Sequence, residues 1–158
     1  MMTTGKCLWS FFWDEQDAVP STARRLSELM ERAMTTMRCC GIRGAASVEA
    51  NDSNAIIRAT RELLERIVTA NDLRVEEVAG VLFTATPDLD ATYPARAAHE
   101  MGWVSTPLLC LQEMAVAGSL PRCVRVLVLW NTTRCSEQIQ HVYLGEARVL
   151  RPDLARRD

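Results

Sequence analysis

Arg125 stands out because of the residues that surround it. It lies in CVRVLVLW, residues 123–130, the most apolar run of the chain. Such a run predicts a buried or half-buried β-strand, and the alternation of side chains along a strand places Arg125 on the same face as Leu127 and Leu129. A guanidinium keeps its proton, so it needs an anion or several hydrogen-bond acceptors within reach. The sequence therefore predicts an anionic partner for Arg125, which is either another residue of the chain or a ligand.

Arg43 and Glu113 are two further charged residues in informative settings. Arg43 lies between Gly41 and Gly44 in GIRGA, where glycines can let the backbone approach a ligand closely. The same residues also fit an ordinary tight turn with a solvated arginine. Glu113 directly follows LLCLQ, at the end of a predicted strand, where ligand sites gather in sheets with helical crossovers. If a helix begins there, the carboxylate could instead stabilise the helix N-terminus.

Arg96, His99 and Tyr143 are weaker candidates for binding residues. Arg96 and His99 are three positions apart on a predicted short helix, so they share a face; a pair of solvent-facing side chains is the alternative. Tyr143 in HVYLG shares a strand face with His141 and Gly145, and it is either a binding residue or a core tyrosine. The sequence has no HExxH motif, P-loop, dinucleotide fingerprint or G-x-S-x-G motif. Metal-dependent, phosphoryl-transfer, nicotinamide-dependent and serine-hydrolase chemistry therefore lack support.

Length and composition favour one soluble globular domain. The chain has 158 residues, of which 48% are hydrophobic and 24% charged, and its net charge is −2. This charge gives no reason to expect binding to nucleic acid or to an anionic membrane. The six cysteines form no CxxC pair, which favours a reducing compartment without a disulfide framework. No apolar stretch is long enough to span a bilayer, and acidic residues follow CLWSFFW where a signal peptide would be cleaved, so we predict a cytoplasmic protein.

The pattern of elements predicts where these side chains are held. Residues 1–36 read as a weakly ordered or helical N-terminal extension, and residues 37–158 as the functional domain. In the domain we predict the order β-α-β-α-β-α-β-β. The elements are a short strand meeting a glycine-framed turn (38–48), a helix capped by Asp52 or Ser53 (51–71), a strand (79–85), a short helix (94–101), a strand (106–112), a helix or turn (113–119), a strand (123–130), and a last strand or hairpin with Gly145 near its bend (141–150). This order predicts an α/β (α+β) fold in which helices cover a mixed β-sheet.

Several motifs in a fixed order resemble one family. They are GIRGA (41–45), ATPDLDATYPARAAHE (85–100), LLCLQEM (108–114), CVRV (123–126) and HVYLGEARVLRPDL (141–154). Together they resemble the monofunctional, Bacillus-type chorismate mutase of the AroH class from about Met37 to Leu154. The resemblance implies a homotrimer of mixed α/β subunits with a pseudo-α/β-barrel core and active sites between neighbouring subunits. It also implies the Claisen rearrangement of chorismate to prephenate, on the route to phenylalanine and tyrosine, without a metal or cofactor.

The resemblance also implies roles for individual residues. Arg125 would face the ether oxygen of chorismate, Glu113 would accept a hydrogen bond from the ring hydroxyl with Cys110 nearby, and Arg43 and Tyr143 would bind the carboxylate of the enolpyruvyl side chain. Tyr93, Ala95 and Arg96 would come from the adjacent subunit. The expected substrate-binding residues are Tyr93, Ala95, Arg96, His99, Leu108, Leu109, Leu111, Gln112 and Leu150.

Three positions depart from the family pattern. His99 stands where an arginine is usual, Arg96 replaces a lysine, and Leu109 replaces a threonine and so lacks its hydroxyl. Two other functions compete with the mutase. One is a non-catalytic trimeric binding protein for an acidic metabolite on the same scaffold. The other is an unrelated deaminase or hydrolase with a similar cleft, for which the sequence offers no obvious nucleophile or metal site.

Overall fold

The structure is a computed structural model that describes residues 37–153. The extension predicted over residues 1–36 lies outside the described residues. The described elements are β1 Arg38–Ser47, α1 Ser53–Asn71, β2 Val78–Ala85, α2 Ala95–Glu100, β3 Leu108–Gln112, β4 Cys123–Thr132 and β5 Val142–Leu144. Short 3-10 helices span Val75–Glu77, Ser136–Gln138 and Gly145–Leu150.

The strands form one mixed sheet in the order β3-β2-β4-β1-β5. The central strand β4 runs antiparallel to both β1 and β2. The outer strands are parallel to their neighbours, β5 to β1 and β3 to β2. The predicted mixed sheet with helices packed on it is confirmed, and its central strand carries Arg125.

Helix α1 forms as its sequence predicts. The Asp52 side chain accepts a hydrogen bond of 3.0 Å from the backbone N–H of Ala55 and so caps the first turn. Ile56, Leu63 and Ile67 recur at helical spacing and are completely buried. The helix ends where Asp72 adopts a left-handed conformation with φ 49°. Burial of this apolar stripe against the sheet holds the helix in place.

Gly44 explains why α1 lies so close to the sheet. A Cβ atom at this position would be 2.8 Å from Cδ1 of Ile67 and 2.9 Å from Cγ1 of Val126. The predicted glycine-framed turn is wrong, because GIRGA lies wholly within β1 and pairs with β4 along its length. The glycines at 41 and 44 lie in extended backbone, and the missing side chain at Gly44 makes room for a helix.

The sheet has two different faces. In β4, Val124, Val126 and Val128 are buried beneath the helices, whereas Arg125 and Leu127 alternate with them on the other side and are half-buried. We call this second side the open face. It comprises Arg43, Ala45, Leu82, Thr84, Arg125 and Leu127 together with their neighbours in register. The 3-10 helix Gly145–Leu150 covers the open face at the β5 end of the sheet, through a small apolar cluster that includes Ala45, Tyr143 and Ala147.

Two other element predictions left alternatives open, and the structure decides between them. Of the helix or turn predicted over residues 113–119, the structure has the turn: Met114 and Val116 are exposed, so a helix would have no apolar face to bury, and Gly118 takes a turn conformation with φ 79°. The strand predicted near the C-terminus is limited to Val142–Leu144. The chain bends at Gly145, with φ 57°, but continues as a 3-10 helix, so the hairpin alternative is wrong.

Two further observations concern residues 37–153. None of their helices is both long and apolar enough to cross a membrane. The cysteines among them, Cys39, Cys40, Cys110, Cys123 and Cys135, are free thiols.

Candidate active site

Strand register lines up one row of side chains across the open face. Tyr143 of β5 is level with Ala45 of β1, which is level with Arg125 of β4. On the other side Arg125 is level with Thr84 of β2, and Thr84 with Leu111 of β3. Side chains that are directly opposite on neighbouring strands lie about 5 Å apart. The small side chains of Ala45 and Thr84 therefore leave space on both sides of the Arg125 guanidinium.

A second row lies one pleat further along the same strands. Arg43 of β1 is level with Leu127 of β4, and Leu127 is level with Leu82 of β2, which is level with Leu109 of β3. Arg43 therefore shares a face with Arg125 and is separated from it by an apolar strip. Two cations on a largely apolar surface are suited to a small anion with an apolar body.

A cavity of about 490 Å³ opens on this part of the sheet. Three of the residues that line it are arginines, and most of the others are apolar. The lining consists of Arg43, Gly44, Ala45, Leu82, Thr84, Leu111, Arg125, Val126, Leu127, Tyr143, Leu150 and Arg151. Three arginines around one largely apolar cavity give it a positive potential that attracts an anion.

Arg125 and Glu113 form an ion pair beside the cavity. Nε of Arg125 lies 3.1 Å from Oε1 of Glu113, whose side chain is only 14% exposed. The hydroxyl of Thr84 donates a hydrogen bond of 2.5 Å to the same carboxylate oxygen. The backbone N–H of Glu113 donates to the carbonyl of Ala85 at 2.9 Å and extends the pairing of β3 with β2 beyond Gln112. Glu113 is therefore held at a strand end, as the sequence predicts.

The ion pair does not use all the hydrogen-bonding capacity of Arg125. Nε is buried without a hydrogen-bond partner among the described residues. Its 3.1 Å separation from Glu113 is thus a contact between charges in which the N–H does not point at the oxygen. Arg125 itself lines the cavity. The expected anionic partner is an internal carboxylate, and the arginine keeps donors for a ligand as well.

Arg43 has a partner that the sequence analysis did not assign to the site. Its backbone N–H donates a hydrogen bond of 3.1 Å to Nδ1 of His141. Burial lowers the pKa of His141, and the positive charges of Arg43 and Arg151 lower it further. The imidazole is therefore neutral at pH 7 and acts as an acceptor.

Arg151 is a further cavity residue. The family resemblance places the RPDL tail that begins with Arg151 near the mouth of the pocket, but Arg151 itself was not among the expected substrate-binding residues. Its guanidinium donates to both carboxylate oxygens of Asp153, at 2.9 and 2.6 Å. These hydrogen bonds lower the pKa of Asp153 to about 2. The available signal was its position directly after Leu150, a predicted pocket residue that does line the cavity.

The remaining predicted residues lie mainly at the outer edge of β3, which pairs with no other strand among residues 37–153. Tyr93, Cys110 and Gln112 line a second cavity, of about 540 Å³, and Leu111 borders both cavities. The side chain of Asn51 accepts hydrogen bonds of 3.1 Å from the backbone N–H groups of Asp90 and Ala91. This fixes the loop that leads to Tyr93.

The side chains on and near α2 have several different surroundings. Arg96 pairs with Glu100 at 3.0 Å, and His99 is exposed. Ala95 and Leu108 pack against the core, whereas Leu109 is 56% exposed on the open face. Within one chain, the predicted residues thus form two groups. The cavity group consists of Arg43, Glu113, Arg125, Tyr143 and Leu150, and the edge group consists of Tyr93, Cys110, Leu111 and Gln112.

The thiols near the site are poorly suited to nucleophilic chemistry. Burial raises the pKa of Cys110, and it also raises the pKa of Cys123. Both are therefore protonated at neutral pH. What the cavity group offers is a fixed positive field around a small anion, which can stabilise negative charge that develops during a reaction.

Comparison with known proteins identifies relatives of this chain. The profile of the family described as chorismate mutase type I matches residues 39–154. A chorismate mutase AroH from Thermus thermophilus is 51% identical over 115 residues, which are 72% of this chain and 94% of the relative. A chorismate mutase AroH from Bacillus subtilis is 46% identical over 116 residues, 73% of this chain and 91% of the relative. The solved structure of a chorismate mutase from Clostridium thermocellum superimposes with a TM-score of 0.69 at 43% identity, over 70% of this chain and 98% of that one.

Proposed function

This chain belongs to the chorismate mutase type I family, and we propose that the cavity on the open face of its sheet is where chorismate rearranges to prephenate. The chain is a chorismate mutase, an isomerase of aromatic amino acid biosynthesis. The observation that carries the site assignment is the position of Arg125. Arg125 lines the cavity, its Nε is buried, and a carboxylate fixes it from one side.

The reaction makes specific demands on such a site. Chorismate is a dianion whose ether C–O bond breaks while a C–C bond forms, within one molecule. No proton moves and no covalent intermediate with the protein is needed. The protein can accelerate the step by holding the compact conformer and by stabilising the separation of charge, with negative charge growing on the ether oxygen.

Arg125 is the cation that we place against the ether oxygen. Contact with Glu113 fixes its guanidinium before substrate arrives, so little reorganisation is needed during the reaction. The ether oxygen becomes more negative in the transition state, so the interaction strengthens there and raises the rate rather than only the affinity.

Other residues around the cavity make the remaining contacts with the substrate. Thr84 and Arg125 both lie at Oε1 of Glu113, so we assign the other carboxylate oxygen to the ring hydroxyl of the substrate. Arg43 and Tyr143 bind the carboxylate of the enolpyruvyl side chain. Arg151 lines the same cavity and adds a third cation, which suits a substrate with two carboxylates.

We also propose that the active protein is a homotrimer in which the edge group of one subunit closes the cavity of its neighbour. The edge group lies on the outer edge of β3, which is unpaired within the described part of the chain, beside exposed apolar side chains; these are Tyr93, Leu109, Met114 and Val116. Closure by a second subunit would exclude water from the cavity, which strengthens the electrostatic effect of Arg125. The competing functions, a non-catalytic binding protein or an unrelated deaminase or hydrolase, find no support among these relatives.

Replacement of Arg125 tests the site. Following the fall of chorismate absorbance, we expect Arg125→Ala to lower kcat by at least about a hundredfold, as is typical when a donor to a developing oxyanion is removed. The matched control is Arg58→Ala, because Arg58 is 67% exposed and lies 3.9 Å from Glu49, its charged partner. This control should keep normal turnover. Near-normal turnover by Arg125→Ala, beside an active wild-type protein, would rule out the assigned role.

A further inference from the structure

We propose that His141 is a positioning residue for Arg43: its neutral imidazole holds the β1 backbone at the point where the substrate carboxylate binds, and thereby sets substrate affinity. The proposal rests on the role proposed above for Arg43. It adds His141 to the residues that determine how the substrate carboxylate is bound, and it requires His141 to be unprotonated.

The geometry shows why Arg43 needs a side-chain partner. Backbone N–H groups of successive strand residues point to opposite edges, and the bond to His141 shows that the N–H of Arg43 points towards β5 rather than β4. The pairing of β1 with β5 begins at Gly44, opposite Val142. Arg43 lies one residue before that pairing, so the imidazole of His141 supplies the acceptor that the strand does not.

His141 is itself attached to the core of the protein. The side chain of Asn71, completely buried at the end of α1, donates a hydrogen bond of 2.9 Å to the carbonyl of Gln140 and accepts one of 2.9 Å from its N–H. Asn71 also donates to the carbonyl of Ile67 at 3.0 Å. The residue next to His141 is thus fixed to the helix. Two sets of hydrogen bonds, from Asn71 to Gln140 and from Arg43 to His141, thus connect α1 to Arg43 through the peptide bond between Gln140 and His141.

The protonation state of His141 decides whether this connection is complete. Nδ1 accepts a hydrogen bond only while it carries no proton, and in the imidazolium both ring nitrogens are donors. The charged groups that face the ring are Arg43 from β1 and Arg151 beyond the last 3-10 helix; Asp153 is engaged by Arg151. Burial and these two cations keep the pKa of His141 below its ordinary value. The acceptor is therefore present at neutral pH and is lost as the pH falls through that lowered pKa.

The effect should appear in KM rather than in kcat. The carboxylate that Arg43 binds keeps its charge throughout the rearrangement, so substrate and transition state gain equally from a well-placed Arg43. Loss of such uniform binding raises KM and leaves kcat unchanged. An effect on kcat alone would instead place His141 at the breaking bond.

Two variants separate the hydrogen bond from the bulk of the side chain. In His141→Asn, Oδ1 can occupy the place of Nδ1 and accept from Arg43, but the side chain does not titrate. In His141→Leu the acceptor is gone. At pH 8 we expect KM to rise roughly two- to tenfold in His141→Leu, the range that one hydrogen bond supports, and to stay near the wild-type value in His141→Asn. The KM of the wild type should rise towards that of His141→Leu as the pH falls through the lowered pKa of His141, whereas the KM of His141→Asn should lack this rise.

Three results would overturn the proposal. The first is that His141→Leu has the same KM as the wild-type protein, and the second is that both variants show an equal rise in KM. The third is that the KM of the wild-type protein falls at acidic pH, because the imidazolium then binds the substrate directly. Imidazole ¹⁵N NMR of the wild-type protein gives a readout that depends on neither folding of the variants nor catalysis. It should show the proton on Nε2 and none on Nδ1. If Arg43→Ala leaves KM unchanged while this tautomer is observed, the proposed role of Arg43 fails and the contact with His141 stands.

Discussion

Thr84 joins the charged residues at the centre of the open face. It is level with Arg125 on the neighbouring strand, and its hydroxyl donates to the carboxylate oxygen of Glu113 that also contacts Nε of Arg125. A carboxylate with two donors or charges at one oxygen has little freedom to rotate. Thr84 therefore fixes the direction of Glu113, and through it the direction of Arg125, although it is neutral and was not among the predicted site residues.

Replacement of the Thr84 hydroxyl should slow the reaction without unfolding the protein. Thr84→Val has nearly the same shape but cannot donate, and we expect kcat to fall by about tenfold or more because a hydrogen bond to a charged group is lost. Thr84→Ser keeps the donor and should retain most of the activity. Turnover is measured by chorismate absorbance and the fold by thermal unfolding. Equal turnover in the two variants would show that the hydroxyl does not position Glu113.

The role of an individual residue could be predicted from the sequence only where its chemical type and its sequence neighbours indicate that role. An arginine in an apolar strand must find an anion, so the sequence indicated that Arg125 had a partner, and Glu113 was already a candidate at a strand end. His141 was missed because its acceptor serves a backbone N–H of β1, which is 98 positions away in the sequence. Arg151 was not singled out as a binding residue because the cavity that it lines is formed by five different strands and the C-terminal 3-10 helix.

At the scale of elements, the close contact between α1 and β1 depends on Gly44. Helix side chains occupy the space where a side chain at this position would lie. The strand that carries Arg43 is thus held from one side by α1 and along its length by β4. Movement of α1 would disturb the same strand that presents Arg43 to the cavity.

Gly44→Ala should therefore destabilise the protein by about 1–3 kcal/mol, the usual effect of adding a methyl group to a packed core. The control is Gly41→Ala in the same strand, where the added methyl group meets only Cδ1 of half-buried Leu127, at 3.1 Å. We expect a change below about 0.5 kcal/mol there, as for most substitutions near the surface. Urea unfolding of both variants checks the difference. Equal stabilities would contradict the packing role of Gly44.

Elements were predictable where one local pattern decides the outcome. The capped, amphipathic helix α1 and the five strands were expected, because each has apolar residues that pack against the core. The glycines of GIRGA were misread as a turn, and the choice between helix and turn over residues 113–119 stayed open, because the conformation of both segments depends on distant partners. Met114 and Val116 find no surface within the described residues to pack against, and Gly44 is small because Leu63 and Ile67 of α1, 19 and 23 residues further on, occupy the space beside it.

At the scale of the whole molecule, the domain from Met37 should be sufficient for activity. The family profile begins at residue 39, and the cavity group and the edge group both lie after Met37. We expect a chain that starts at Met37 to retain the kcat/KM of the full chain, and light scattering to give the mass of three subunits for both. A monomer that turns over normally would contradict the trimer proposal. Loss of turnover or of assembly only in the shorter chain would show that residues 1–36 contribute.

The two faces of the sheet have a consequence for how the protein can change under selection. Along β4, positions that face the helices determine whether the chain folds, and the positions between them determine what it does. A saturation library of this strand should therefore show fitness effects that alternate from one codon to the next: hydrophobic substitutes are accepted at Val124, Val126 and Val128, while Arg125 tolerates almost none. Stability and specificity can then be evolved in separate rounds, because few residues serve both.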